Sequence, residues 1–193
     1  MLSMWKKAFH QTWGNPIYFS KAPGELNVTN IGRRSYCANM IDCHHVSLET
    51  LIHIGNYTSI GQNLKFIGSS GHSLNSLTTF PFESSRGKKT YKISIGSDVW
   101  IGDDVTIIGD IKIGNGCVIG TGSIVTKDLE DFGVYVGSPA KLLKYRFPPN
   151  IIQKLKKLSW WDLDDLTVMS IEKHLTSENL QESTEFLDHA ING

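Results

Sequence analysis

The sequence predicts an all-β core built as a parallel β-helix, with one excursion loop and a C-terminal helical extension. Three features lead there: a six-residue repeat that keeps its phase from Ile95 to Val125, a polar break over residues 68–92, and a switch to helical spacing beyond Pro148. Within the repeat, Ile95, Ile101, Ile107, Ile113, Ile119 and Val125 hold the first slot. Gly96, Gly102, Gly114 and Gly120 take the second, and Val99, Val105, Ile111, Cys117 and Ser123 the fifth. A helix would space its apolar residues three and four apart and lose about 1 kcal/mol at each glycine. A half-buried strand would alternate briefly and turn, whereas this pattern continues through glycine-marked corners. A constant period of six marks a solenoid in which each hexapeptide is one short flat side. First-slot aliphatics then point into a shared core, and the glycine that follows allows the conformation of the corner. Each coil covers the strand edges of the next, so stability accumulates along the stack.

The chain has 193 residues, enough for one core with a small appendage. Its 19 basic and 19 acidic residues cancel, so no overall field draws it to nucleic acid or anionic lipid. Three cysteines, Cys37, Cys43 and Cys117, are an odd number without metal-type spacing and read as reduced thiols. No apolar run reaches membrane-spanning length, and MLSMWKKAFHQTW lacks the apolar segment and cleavage site of a signal peptide. The expectation is a soluble, cytoplasmic protein with no nucleic-acid partner and no membrane insertion.

In chain order, residues 1–26 form a lead-in. Met1, Trp5, Phe9 and Trp13 lie on one stripe of a short helix, suited to packing rather than to holding a ligand. The β-helix domain spans 27–147. Its rhythm starts at Ile31-Gly32, lapses from Ser35 to Ser47, and resumes through Leu48, Ile54-Gly55, Ile60-Gly61 and Phe66. Residues 68–92 leave the stack as a loop thrown from one corner, where solenoid insertions commonly serve binding. Leu77, Phe80, Pro81 and Phe82 argue that part of this loop packs on something. The rhythm returns after Lys92 and runs to about Val136. Residues 148–193 form the extension, with helical spacing in NIIQKLKKLSWWDL and SENLQESTEFLDHA. Lys154, Lys156 and Lys157 suit the negative end of the first of these helices. Trp160-Trp161 reads as an anchor.

Of seven histidines, His72 alone sits where this architecture would place a reaction, at the root of the loop beside a flat wall. The bland alternative is an exposed loop histidine. His44-His45 with Asp42 suits the surface or an acceptor site better than a metal, because adjacent histidines seldom both reach one ion. Cys117 occupies an inward slot, where a buried thiol without an electropositive neighbour is inert. IGNGCVIGTG is glycine-rich but does not open a helix after a strand, so it does not read as a dinucleotide fingerprint.

The hexads, GHSLNSLTTFPF, DVWIG at Asp98 to Gly102, VTKD at Val125 to Asp128, GSPAK at Gly137 to Lys141, and the later RFP and WW together resemble the hexapeptide-repeat acyltransferases. The likeness is greatest to the xenobiotic-acetyltransferase type, which includes streptogramin and type B chloramphenicol acetyltransferases, and it runs from about Ile31 to Trp161. The resemblance implies a left-handed β-helix of about five coils, at three hexads to a coil. It also implies a homotrimer with acetyl-CoA in the groove between subunits, and no metal. The family's catalytic histidine falls on His72, and its cofactor-side positions on Asp103, Thr121, Thr126, Lys127, Lys141 and Lys144. Lysines suit the phosphates of coenzyme A as flexible point charges, although singly each reads as an ordinary solvated charge. Trp100 would line the groove or the trimer seam.

The expected activity is direct acetyl transfer from acetyl-CoA to an acceptor hydroxyl, with His72 as general base. The segment before Leu48 is shorter than the antibiotic-modifying members would lead one to expect. Asn39, Asp42 and Glu49 offer polar groups for a sugar. A sugar or surface-polysaccharide precursor is therefore the favoured acceptor, with an antibiotic hydroxyl or an amino sugar's nitrogen as alternatives. A non-catalytic β-helix scaffold is the alternative of another class.

Overall fold

The computed structural model describes residues 16–21, 25–46, 48–68, 72, 75–80 and 91–192. Strands β1 (Asn27–Ile31), β2 (Tyr36–Cys37) and β3 (Asp42–His44) form the first coil. The second comprises β4 (Leu51–Ile54), β5 (Ser59–Ile60) and β6 (Lys65–Ile67). The third comprises β7 (Lys92–Ile95), β8 (Trp100–Ile101) and β9 (Thr106–Ile108), and the fourth β10 (Ile111–Ile113), β11 (Val118–Ile119) and β12 (Ile124–Val125). Strands β13 (Gly133–Val136) and β14 (Lys141–Tyr145) follow. Corresponding strands stack into three sheets, ordered β1-β4-β7-β10, β2-β5-β8-β11-β13-β14 and β3-β6-β9-β12. The pairings between successive coils are parallel. This is the left-handed parallel β-helix that the hexads and the resemblance implied.

Each first-slot residue stacks on its equivalent in the next coil. Cys37, Ile60, Ile101, Ile119 and Tyr135 form one ladder, and Cys43, Phe66, Ile107 and Val125 another. All are buried, as are the fifth-slot Val99, Val105, Ile111, Cys117 and Ser123. Burying one such isoleucine is worth about 1.5–3 kcal/mol relative to leaving it exposed.

Two expectations are corrected here. The rhythm does not lapse at Ser35: Cys37 and Cys43 continue the six-residue step from Ile31, 0% and 4% exposed, as small hydrophobes in aliphatic slots. The irregularity lies between β3 and β4. Twenty-three residues separate Cys37 from Ile60, against eighteen from Ile101 to Ile119.

The second-slot glycine, likewise, does not supply the unusual corner conformation. That falls on the fourth slot, where Arg34, Tyr57, Asn63, Asp98, Asp104 and Phe132 have φ between 55° and 59°. The glycine instead provides room. A Cβ on Gly55 would lie 2.5 Å from the carbonyl carbon of Gly96 in the next coil. Third-slot side chains complete the corner by accepting backbone N–H groups from the preceding coil. Asn115 Oδ1 accepts from Ser97 N, and Asp131 Oδ1 from Asn115 N, each at 2.8 Å.

Part of the lead-in joins the solenoid, since Phe19 bridges Ile41 and its ring lies 6.5 Å from that of Phe66. The expected helix over residues 1–13 lies outside the described residues.

The described residues up to Lys144 form one compact unit and those from Tyr145 on a second. The second holds α1 (Pro149–Leu158), a 3-10 turn over Trp160–Asp162, α2 (Asp165–Leu175) and α3 (Leu180–Asn192). Spacing pointed to two of these helices; α2, capped by Asp164 accepting from Leu166 N and Thr167 N at 3.0 Å, lies between them. Lys154 pairs with Asp188 at 2.6 Å, and Ile151, Trp161 and Leu187 are buried.

Candidate active site

The excursion leaves the corner that follows β6. Gly68 N donates to His44 O at 2.9 Å, and the His45 carbonyl occupies the space a Gly68 side chain would need, so only glycine fits the exit. Four residues later comes His72. The chain cannot carry its Cα further than about 14 Å from that of Gly68.

His72 is exposed, and its Nδ1 lies 2.7 Å from the carbonyl oxygen of Thr79. A carbonyl only accepts, so Nδ1 carries the proton and donates. In the neutral ring Nε2 then holds the lone pair, which is the form a proton acceptor requires. The segment that supplies the carbonyl is braced locally. Ser76 Oγ donates to Thr78 O at 2.5 Å, and Phe80 N donates to Thr78 Oγ1 at 3.1 Å. Leu77 and Phe80, expected to pack, are exposed; Pro81 and Phe82 lie outside the described residues.

Asp103 and Thr121 stack at the corner between the second and third sheets. Gly122 N donates to Asp103 O at 2.8 Å, and Thr121 N lies 2.7 Å from where a Gly102 Cβ would sit. One carboxylate oxygen of Asp103 accepts from Gln62 N at 2.7 Å, so this side chain also belongs to the corner ladder. Thr126 and Lys127 are exposed at the opposite corner of the third sheet, immediately after β12. Ala140 N donates to Ile124 O at 2.8 Å and Ile124 N to Gly137 O at 3.0 Å, which brings the chain entering Lys141 onto the same strand. Lys141 and Lys144 are both exposed on β14.

Thr126, Lys127 and the start of β14 thus share the C-terminal end of the third sheet, with Asp103 and Thr121 across that sheet. The excursion leaves the corner shared with Thr126 and Lys127, two strands away (β6 to β12), a rise of about 10 Å. The corner thus carries the excursion that bears His72 on one coil and the exposed Thr126 and Lys127 two coils on, while Lys141 and Lys144, three apart on β14, face opposite sides of that strand. Trp100 stands outward on the second sheet, 60% exposed, between Ser59 and Val118.

Among the described residues, Thr79 is a contributor to the setting of His72 that sequence reasoning missed. It acts through a backbone carbonyl, which every residue carries, so side-chain identity gives no signal for it. His44 Nε2 and Asp42 Oδ2 are 2.8 Å apart, and this hydrogen bond holds the Asp42 carboxyl below the usual range. The thiols are poor nucleophile candidates. Burial raises Cys37 and pushes Cys43 up to about 12, and Cys117 Sγ donates to Glu130 O at 2.9 Å. Among the described residues no three His, Cys, Asp or Glu side chains gather as a metal site, and no helix is long and apolar enough to cross a membrane.

Residues 92–127 match the family model described as bacterial transferase hexapeptide (six repeats). A probable macrolide acetyltransferase of Lysinibacillus sphaericus is 34% identical over 151 residues, covering 72% of this chain and 84% of that one. A chloramphenicol acetyltransferase of Klebsiella aerogenes is 33% identical over 157 residues, covering 75% and 74%. Among solved structures, a galactoside acetyltransferase in complex with coenzyme A is 28% identical with a TM-score of 0.53, covering 72% of this chain and 68% of that one. With its stacked hexads, glycine-packed corners and this degree of likeness along most of its length, the chain belongs to the hexapeptide-repeat acetyltransferases.

Proposed function

We propose that this enzyme transfers an acetyl group from acetyl-CoA to a hydroxyl of a sugar or surface-polysaccharide precursor, with His72 as general base in a ternary complex. The observation that carries the base assignment is the 2.7 Å contact between His72 Nδ1 and Thr79 O, which leaves Nε2 as acceptor. The acceptor hydroxyl gives its proton to Nε2 as its oxygen bonds to the thioester carbonyl carbon. A backbone N–H steadies the resulting oxyanion. Collapse breaks the C–S bond, and the coenzyme A sulfur leaves with the proton that His72 carried.

Lys127, Lys141 and Lys144 serve the phosphates as point charges. Thr121 and Thr126 serve the pantetheine arm from the two sides of the third sheet, with the second carboxylate oxygen of Asp103 on the Thr121 side. The catalytic unit is residues 27–147, with 1–26 as lead-in and 148–193 as extension. It works as a cytoplasmic homotrimer whose groove between subunits holds the donor. Trp100 at 60% exposure and Val136 at 38%, both outward on the second sheet, support a neighbouring copy over that face.

The sugar reading draws on the polar first coil and on the likeness to the galactoside acetyltransferase. The names of the macrolide and chloramphenicol relatives favour a second reading, an antibiotic hydroxyl as acceptor. Release of free thiol with a panel of hexopyranosides, an amino sugar, chloramphenicol and a macrolide separates them; transfer to the antibiotics alone overturns the sugar assignment. His72→Ala should lower turnover by about 10²–10⁴-fold with coenzyme A binding nearly intact. Unchanged turnover would remove His72 from the mechanism, and failure to bind acetyl-CoA at all would favour a scaffold.

A further inference from the structure

We infer that the outward face of the third sheet over the first three coils seats the acceptor's pyranose ring, with Asp42, His44 and Lys65 holding its hydroxyls and Ile67 and Ile108 its C–H face. The inference rests on the sugar reading and gives it a location. In this sheet Cys43, Phe66 and Ile107 point inward and are buried, so the residues on either side of each point outward. Register then builds two columns on one face. Asp42 pairs with Lys65 and Lys65 with Thr106; beside them His44 pairs with Ile67 and Ile67 with Ile108. Columns two residues apart lie about 6.6 Å from each other, with about 4.8 Å between strands. That is the footprint of a single sugar ring.

The two columns differ in the way the two aspects of a pyranose differ. One column is Asp42, Lys65 and Thr106, all able to hydrogen-bond. The other changes from His44 to two isoleucines, of which Ile108 remains 36% exposed. A hydroxyl both donates and accepts, so it can use the carboxylate as acceptor and the ammonium as donor. The Asp42–His44 hydrogen bond keeps the polar end ordered and the carboxylate ionised at neutral pH. A mainly aromatic acceptor would cover Asp42 and Lys65 without satisfying them, and so be disfavoured. The location also fits the chemistry, because Ile67 is followed directly by Gly68, where the excursion bearing His72 begins.

The test is steady-state kinetics of the full chain with acetyl-CoA and methyl gluco-, galacto- and mannopyranosides, with chloramphenicol alongside. Asp42→Asn and Lys65→Met should each raise the KM of the best pyranoside about tenfold, the worth of one hydrogen bond of about 1.4 kcal/mol. Ile108→Ser should raise it several-fold. The KM of acetyl-CoA and kcat should stay within about twofold, as both should for Lys112→Met on the first sheet. Folded platform variants with an unchanged pyranoside KM, while His72→Ala still loses turnover, would sink the platform and leave the proposed function standing. A wild-type enzyme that acetylates no pyranoside would overturn the sugar reading itself, and this inference with it.

Discussion

The third and fourth coils and the first coil solve one geometric problem with different residues. From β7 to β12 the inward slots read mostly Ile and Val, with Cys117 and Ser123 in the fourth coil, and the second slot is mostly glycine. In the first coil the same inward positions carry Ser35, Cys37, Ile41 and Cys43, all buried. Ser35 remains compatible with the core because Oγ donates to Gly55 O at 2.6 Å and accepts from Thr58 N at 2.9 Å. What the coils share is therefore volume and polar satisfaction at fixed positions, rather than a residue type. The period belongs to the backbone, and the isoleucines only make it visible.

That comparison can be tested, beginning with the largest effect. Ile101→Ala, in the middle of a ladder between Ile60 and Ile119, should destabilise by about 2–5 kcal/mol in denaturant titration. Cys37→Ala, at the equivalent position one end of that ladder, should cost about 1–2 kcal/mol, since far less volume is removed. Equal losses would mean that the first coil packs as tightly as the third. Gly55→Ala should destabilise by about 1–3 kcal/mol through backbone clash, although Gly55 is not in the left-handed region.

The fourth slot gives the opposite sign. Tyr57→Gly should relieve about 1 kcal/mol of left-handed strain, offset by lost ring contacts with Arg33, whose guanidinium lies 5.5 Å from the ring centroid. Gly122→Ala, at φ 73°, should cost about 1 kcal/mol. Matching responses at the two sites would show that the corner does not impose its conformation.

The smallest effect concerns Asp42. Its folded carboxyl titrates below its unfolded value, so the contribution is present above about pH 4 and is lost as pH falls through the folded value. Both partners are well exposed, so the loss should stay below about 1 kcal/mol. It would be read as the difference between wild type and Asp42→Asn in melting temperature at pH 6 and pH 3. A wild-type advantage that grows toward pH 3 would contradict the sign.

Legibility followed how directly a side chain reports its surroundings. The hexads of 92–125 were plain because isoleucine and glycine alternate with the turn of the backbone. The step through Cys37 and Cys43 was hidden because cysteine signals a thiol before it signals a small hydrophobe. Helix α2 was hidden because its weakly apolar sequence buries no residue within the unit. For the candidate site, the motif nominates His72 and the lysines, whereas nothing in the sequence points to the Thr79 carbonyl that contacts the imidazole.

Sequence alone determined the period, the place of the excursion and the acetyltransferase family, because repeated burial at fixed spacing and a dense motif leave marks in residue identity. Tertiary structure decided which tautomer His72 holds, which slot carries the strained corner, and which outward side chains from separate coils stand side by side. The first rests on a contact seven residues along the chain and the last on register between segments 23 or 41 residues apart, and a linear pattern does not encode which groups such folding makes neighbours.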